Sequence, residues 1–164
     1  MYSKQVYHSP IGELSLVASD KGLRGIWFQG QAYFEKGIEV PINSHSHPIL
    51  EETSRLLDIY FSGQAVSFSS IPLDIQGTVF QKKVWNVLKG IPYGQTTTYG
   101  KLAKQLGILS AQAIGGAVGK NPFSILIPCH RVLGAKGQLT GYAGGLEKKI
   151  WLLQHEHSNF EVKQ

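Results

Sequence analysis

Residues Ile127 to Val132 read Ile-Pro-Cys-His-Arg-Val and hold the chain's single cysteine, Cys129. A thiol is a strong nucleophile only as its thiolate, and a neighbouring imidazole or cation favours that form. His130 and Arg131 follow at once, Pro128 stiffens the approach, and the surrounding sequence is polar and glycine-rich. A lone cysteine can also serve as a small buried hydrophobe. That role has no use for such neighbours, so Cys129 is the candidate nucleophile.

Other chemistries are poorly supported. One cysteine excludes an intrachain disulfide and any multi-cysteine zinc site, and it points to a reducing, cytoplasmic compartment. His45 and His47 stand at i, i+2 without a third ligand type nearby, which reads as a solvated loop rather than a metal site. Thr140-Gly141-Tyr142-Ala143-Gly144-Gly145 can bring several backbone N–H groups to a ligand, yet it matches neither G-x-G-x-x-G nor a Walker loop. No cofactor is expected. No apolar run approaches the ~18 residues of a membrane span, and Met1 to Gln5 has no apolar signal region.

Charge is placed unevenly over the 164 residues. Residues 1–77 carry five basic and eight acidic side chains, a net of −3, whereas 78–164 carry eleven basic and three acidic, a net of +8. A basic half joined to an acidic half suggests a polyanion-binding surface confined to the C-terminal part.

The elements that must position Cys129 can be read from periodicity. Residues 2–8, 12–19 and 23–28 alternate as strands of an antiparallel meander, with turns at Pro10-Ile11-Gly12 and Asp20-Lys21-Gly22. Residues 29–48, with Pro41 and Pro48, read as irregular. Ile49 to Phe61 has helical spacing, a short strand is expected at Val66-Ser67-Phe68, and Ser69 to Gly77 reads as a linker. The boundary is set there, giving domains 1–76 and 77–164. Thr78 caps a helix to about Lys89 with Phe80, Val84, Val87 and Leu88 as its apolar stripe. Tyr99 to Leu106 and a Ser110-capped helix through Val118 form a helix-turn-helix pattern. The second of these helices holds Ala111, Ala113, Gly115 and Gly116, small residues that imply close approach of another helix or of a nucleic-acid backbone. Gln112 lies in its first turn, where recognition helices present side chains. A last helix, Leu146 to His155, is expected to bury Leu146, Ile150 and Leu153.

From Phe80 to Glu156 the chain resembles the O6-alkylguanine-DNA alkyltransferases, or methylated-DNA–protein-cysteine methyltransferases. The likeness rests on Pro128-Cys129-His130-Arg131, Val84-Trp85, Ile91-Pro92-Tyr93-Gly94 before Tyr99, Ala113-Ile114-Gly115-Gly116-Ala117 and Asn121-Pro122. It continues in Gly141-Tyr142-Ala143-Gly144-Gly145 and Trp151-Leu152-Leu153-Gln154-His155-Glu156. The resemblance implies an α+β protein: an N-terminal ribonuclease-H-like small sheet domain, then a mostly helical winged helix-turn-helix domain. It implies a single-turnover repair reaction on duplex DNA carrying O6-alkylguanine, with O4-alkylthymine as a second lesion class, by a monomer able to assemble cooperatively on DNA. The base is flipped from the minor-groove side, and the alkyl group moves irreversibly to Cys129.

Physical chemistry assigns His130 as the base that takes the thiol proton through a water and Glu156 as the carboxylate that orients the imidazole. The resemblance gives the same roles. It also implies that Asn121 holds the active-site turn, that Tyr99 donates to a guanine ring nitrogen, that Tyr142-Ala143 offers a backbone N–H to O6, and that Val132 and Ser124 line the alkyl pocket. Ser110, Ala111, Gln112, Ala113, Gly115, Gly116 and Lys120 would meet DNA. Arg131 would brace structure or phosphate. One departure stands out: the family places arginine where this chain has Gln112, which loses the charge and the stacking plane while keeping hydrogen bonds. Three rival readings remain: a non-catalytic lesion binder, a multiple-turnover cysteine hydrolase, and a winged-helix regulator with no need of a cysteine.

Overall fold

The computed structural model describes residues 2–38, 42–43 and 45–157. The chain is α+β, as expected, and forms two compact units. One runs through Gln76 and takes in Pro122–Ser124; the other holds Gly77–Asn121 and the chain from Ile125 onward.

In the first unit β1 (Tyr2–Ser9), β2 (Gly12–Ser19) and β3 (Gly22–Phe28) form the antiparallel meander. The sheet order is β3-β2-β1-β4, because β4 (Ile42–Asn43) pairs parallel to β1 within the stretch read as irregular. Pro41 lies outside the described residues. Helix α1 (Pro48–Phe61) covers one sheet face, burying Leu50, Leu56, Leu57 and Tyr60. Each such side chain is worth roughly 1.5–3 kcal/mol on burial. Gln5 donates to Ser54 at 2.9 Å and Tyr7 to Asp58 at 2.6 Å, which pins the helix across β1. His47, far from ligating a metal, caps α1: its Nδ1 accepts from the Ile49 N–H at 3.1 Å. The strand expected at Val66-Ser67-Phe68 is not formed. Its apolar alternation is real, but the sheet finds its extra partners at Ile42 and through bridges from Leu73 and Phe123 to β3.

In the second unit α2 (Val79–Leu88) opens on a full capping box, Thr78 with Gln81. Trp85 replaces Phe80 and Val87 on its buried face, and its indole N–H donates to the Ala117 carbonyl at 2.8 Å. Helix α3 (Tyr99–Leu106) is capped by Thr98 and stopped by Gly107 at φ 69°, a conformation glycine adopts without strain. Helix α4 (Ala111–Gly119) follows, capped by Ser110, whose side chain accepts from the Ala113 N–H. Strands β5 (Thr97–Thr98) and β6 (Val132–Leu133) pair in parallel, and α5 (Leu146–His155) ends the described fold.

Candidate active site

Asn121 to Gly134 is an unbroken buried run. Within it Cys129–Arg131 winds into a single 3-10 turn that hands the chain to β6. Ile125, a buried β-branched residue, is held at φ 73°. Such a conformation costs about 1–3 kcal/mol and persists only when its surroundings enforce it.

The turn places three ionisable side chains in one cluster. His130 Nε2 lies 2.7 Å from Glu156 Oε2, and both side chains are fully buried. Arg131 forks onto the same carboxylate, with Nε 2.8 Å from Oε1 and the second terminal nitrogen 3.0 Å from Oε2. Its remaining terminal nitrogen donates to the Ile91 carbonyl at 2.7 Å. Burial alone would raise the Glu156 carboxyl; the His130 and Arg131 contacts outweigh it and hold the group far below the usual carboxylate range. Burial also pushes His130 below its ordinary value, against the pull of Glu156 and with Arg131 and Lys149 repelling added charge. Burial thus favours the neutral imidazole, while Arg131 supplies the counter-charge to Glu156. An Nε2–H bonded to Glu156 leaves Nδ1 with its lone pair, and among the described residues Nδ1 has no hydrogen-bond partner.

Cys129 is a free, buried thiol. Burial raises its pKa; the Asn121 side chain, hydrogen-bonded to the sulfur, and the charge of Lys149 pull it back. Asn121 also donates to the Ile127 carbonyl at 2.7 Å, tying the start of the buried run to the residue two before the cysteine. Lys149 on α5 is wholly buried, and its ammonium donates to the Val132 carbonyl at 2.7 Å. Burial lowers its pKa to about 8.

The aromatic wall comes from two elements. Tyr99, at the start of α3, accepts from the Thr140 hydroxyl at 3.3 Å. Tyr142 presents its ring edge-on to His130 with centroids 6.5 Å apart, and Ala143 beside it is half-buried. Val132 is fully buried behind Cys129.

On α4, Ala111, Gln112, Ala113, Gly116 and Lys120 are exposed and Gly115 is half-buried, while Ile114, Ala117 and Val118 face inward. The glycines are not demanded by the chain's own packing. A Cβ on Gly115 would make only an ordinary contact with Tyr99 at 3.9 Å, and among the described residues nothing lies within 4 Å of one on Gly116. Helical glycine costs roughly 1 kcal/mol relative to alanine.

The Ser124 N–H donates to the Ile26 carbonyl at 3.0 Å and its hydroxyl to Gln31 at 3.2 Å, which ties it to β3. Arg131 is 9% exposed with donors on Glu156 and Ile91, so it braces structure, the first of the two roles expected of it. Sequence reasoning missed Lys149 and Thr140. Leu146, expected inside, is 45% exposed. The buried face of α5 is Lys149, Leu152 and Leu153, and that i, i+3, i+4 spacing was the signal that would have found the lysine.

Comparison with known proteins meets this geometry. Residues 79–158 match the family model of the 6-O-methylguanine DNA methyltransferase DNA binding domain, and residues 2–75 that of its ribonuclease-like domain. The methylated-DNA–protein-cysteine methyltransferase of Methanosarcina acetivorans is 46% identical over 155 residues, covering 93% of this chain and 97% of the relative. That of Haemophilus influenzae is 40% identical over 92% of this chain and 83% of its own. The crystal structure of Mycobacterium tuberculosis O6-methylguanine methyltransferase superposes with a TM-score of 0.83 at 38% identity, covering 96% of this chain and 93% of that one. Mycobacterium tuberculosis OGT in complex with DNA gives 0.82 at 38% identity over 95% and 92%. With a buried Cys-His-Glu cluster on matching segments along nearly its whole length, this chain belongs to the methylated-DNA–protein-cysteine methyltransferase family.

Proposed function

We propose that the chain repairs duplex DNA by moving the alkyl group of O6-alkylguanine irreversibly onto Cys129. The observation that carries this reading is the fully buried His130, its Nε2 2.7 Å from Glu156 and the residue itself next in sequence to the only thiol. His130 takes the thiol proton. The thiolate attacks the alkyl carbon, the S–C bond forms and the C–O6 bond breaks, and its electron pair leaves with the base. The proton lost by the thiol balances the one the guanine regains. Asn121 and Lys149 stabilise the thiolate, which burial otherwise disfavours. Tyr99 donates to a ring nitrogen as charge develops there, and the Tyr142-Ala143 backbone faces O6.

Helix α4 brings the protein to the DNA. Its exposed small residues let a sugar–phosphate backbone approach closely, and Gln112 in its first turn hydrogen-bonds the base left unpaired by flipping. No residue of the cluster can readily remove the alkyl group from the thioether, so each chain acts once. The test is transfer of labelled methyl from methylated duplex to protein. Label should saturate near one per chain and be absent in Cys129→Ser. DNA binding without label in the native protein would make it a lesion binder.

A further inference from the structure

We propose that Thr140 is a positioning residue that fixes the direction in which the Tyr99 hydroxyl donates. The proposal rests on the reading of Tyr99 as donor to the departing base.

Lys149 Nζ is 2.7 Å from the Val132 carbonyl, 3.4 Å from that of Gly141, and 3.5 Å from both the carbonyl and Oγ1 of Thr140. Its side chain is fully buried, and every polar contact just named is to oxygen. An ammonium has three donors and no acceptor. Thr140 Oγ1 can therefore only accept from Lys149, and a hydroxyl has a single hydrogen to give. That hydrogen goes to Tyr99 Oη, 3.3 Å away. Tyr99 in turn accepts from Thr140, and its own hydrogen is turned away from the threonine. Lys149 leaves Thr140 its hydrogen and the geometry sends it to Tyr99, so donation runs from Lys149 to Thr140 to Tyr99.

The consequence is chemical. With valine at 140, the Tyr99 hydrogen would be free to rotate and the oxygen would lose a donor. With threonine, the phenol meets the flipped base already committed as a donor. A cation two hydrogen bonds away polarises it in the sense that suits negative charge growing on the base. Thr140 donation works against the rise in Tyr99 pKa that burial causes, which also makes the phenol a better donor. The two bonds to Thr140 Oγ1 are long, so the effect is that of a neutral hydrogen bond rather than an ion pair.

The experiment is single-turnover alkyl transfer from duplexes carrying O6-methylguanine or its analogues with N1, N3 or N7 replaced in turn by C–H. Tyr99→Phe identifies the nitrogen facing the phenol, as the one whose removal abolishes the effect of the mutation. Thr140→Val is expected to slow transfer about three- to tenfold on the natural base. It should leave that one analogue unaffected, and Thr140→Ser should restore the rate. Thr140→Ala gives the same discrimination should the valine variant fold poorly, as a melting curve will show. Equal slowing of every substrate by Thr140→Val, or no slowing while Tyr99→Phe still discriminates, overturns the proposal and leaves Tyr99 as donor. If Tyr99→Phe singles out no analogue, the reading of Tyr99 fails and the relay fails with it.

Discussion

Arg131 and Glu156 meet as a two-pronged fork, 2.8 Å and 3.0 Å, on the same carboxylate that His130 Nε2 approaches at 2.7 Å. Both residues are buried, so the carboxylate needs a permanent cation. Arg131 provides it. Burial is the main cause that favours the neutral form of His130, with Arg131 adding to it. An arginine beside the histidine reads in sequence as a brace for structure or phosphate; here it braces Glu156 and the Ile91 carbonyl.

Removing the carboxylate should therefore do more than remove a hydrogen bond. Glu156→Gln leaves Arg131 buried without its counter-charge, and loss of about 3–5 kcal/mol of stability is expected in urea unfolding. Glu156→Gln combined with Arg131→Met should recover much of that stability without recovering alkyl transfer.

The acid limb has a definite sign. His130 has a folded pKa below its ordinary 6.5, so the unfolded chain binds the proton first and stability falls as pH drops below 6.5. Glu156 is also depressed in the folded state, and its contribution is lost as pH falls below 4.5, in the same direction. Melting temperatures should decline from about neutral downward in two stages. The transfer rate, in contrast, should hold level through pH 6.5, because the folded base is still unprotonated there.

Asn121 bonds both the Ile127 carbonyl and the thiol. Asn121→Ala strips both, and the Ile127 carbonyl keeps only its bond from the Cys129 N–H at 2.7 Å, so a cost of about 0.5–1.5 kcal/mol is expected. The Cys129 pKa, read by the pH dependence of thiol modification in the unfolding-protected state, should move further up, since burial then acts with less opposition.

Gln112 stands exposed in the first turn of α4. Gln112→Arg adds a cation where the basic half meets DNA, so binding should tighten. If the new charge reaches a phosphate, the slope of log affinity against log salt should steepen by about 0.9. Unchanged binding and repair rate would show that the side chain at this position matters little here.

The elements that position the site were legible where the signals are local. Thr78, Thr98 and Ser110 sit at helix starts because their side chains satisfy first-turn N–H groups, and each cap is where its residue type puts it. Cys129 and His130 stood out by residue type and adjacency, and chemistry and the family resemblance pointed alike to Glu156 as the partner of His130, which lies 2.7 Å from it. Long-range decisions were not. Val66-Ser67-Phe68 alternates like a strand, but pairing depends on which edge is open, and Ile42–Asn43 takes the outer edge of β1. Ser124 follows Phe123 into a bridge with β3, a contact made across about a hundred residues of chain and invisible to any window of sequence. Lys149, beside Lys148, reads as a solvated face because charge usually is. Only the fold supplies the ring of carbonyls that lets it lie inside.

One measurement tests the central claim most directly: a mass balance on a single reaction. Guanine restored in the duplex and thioether formed at Cys129, located by peptide mapping, are quantified in the same sample as methylated DNA is added in excess. The expected result is equal amounts of both, levelling at one per chain. Free base released from the DNA, alkyl recovered as a small alcohol, or repair continuing beyond one equivalent would contradict irreversible transfer to Cys129.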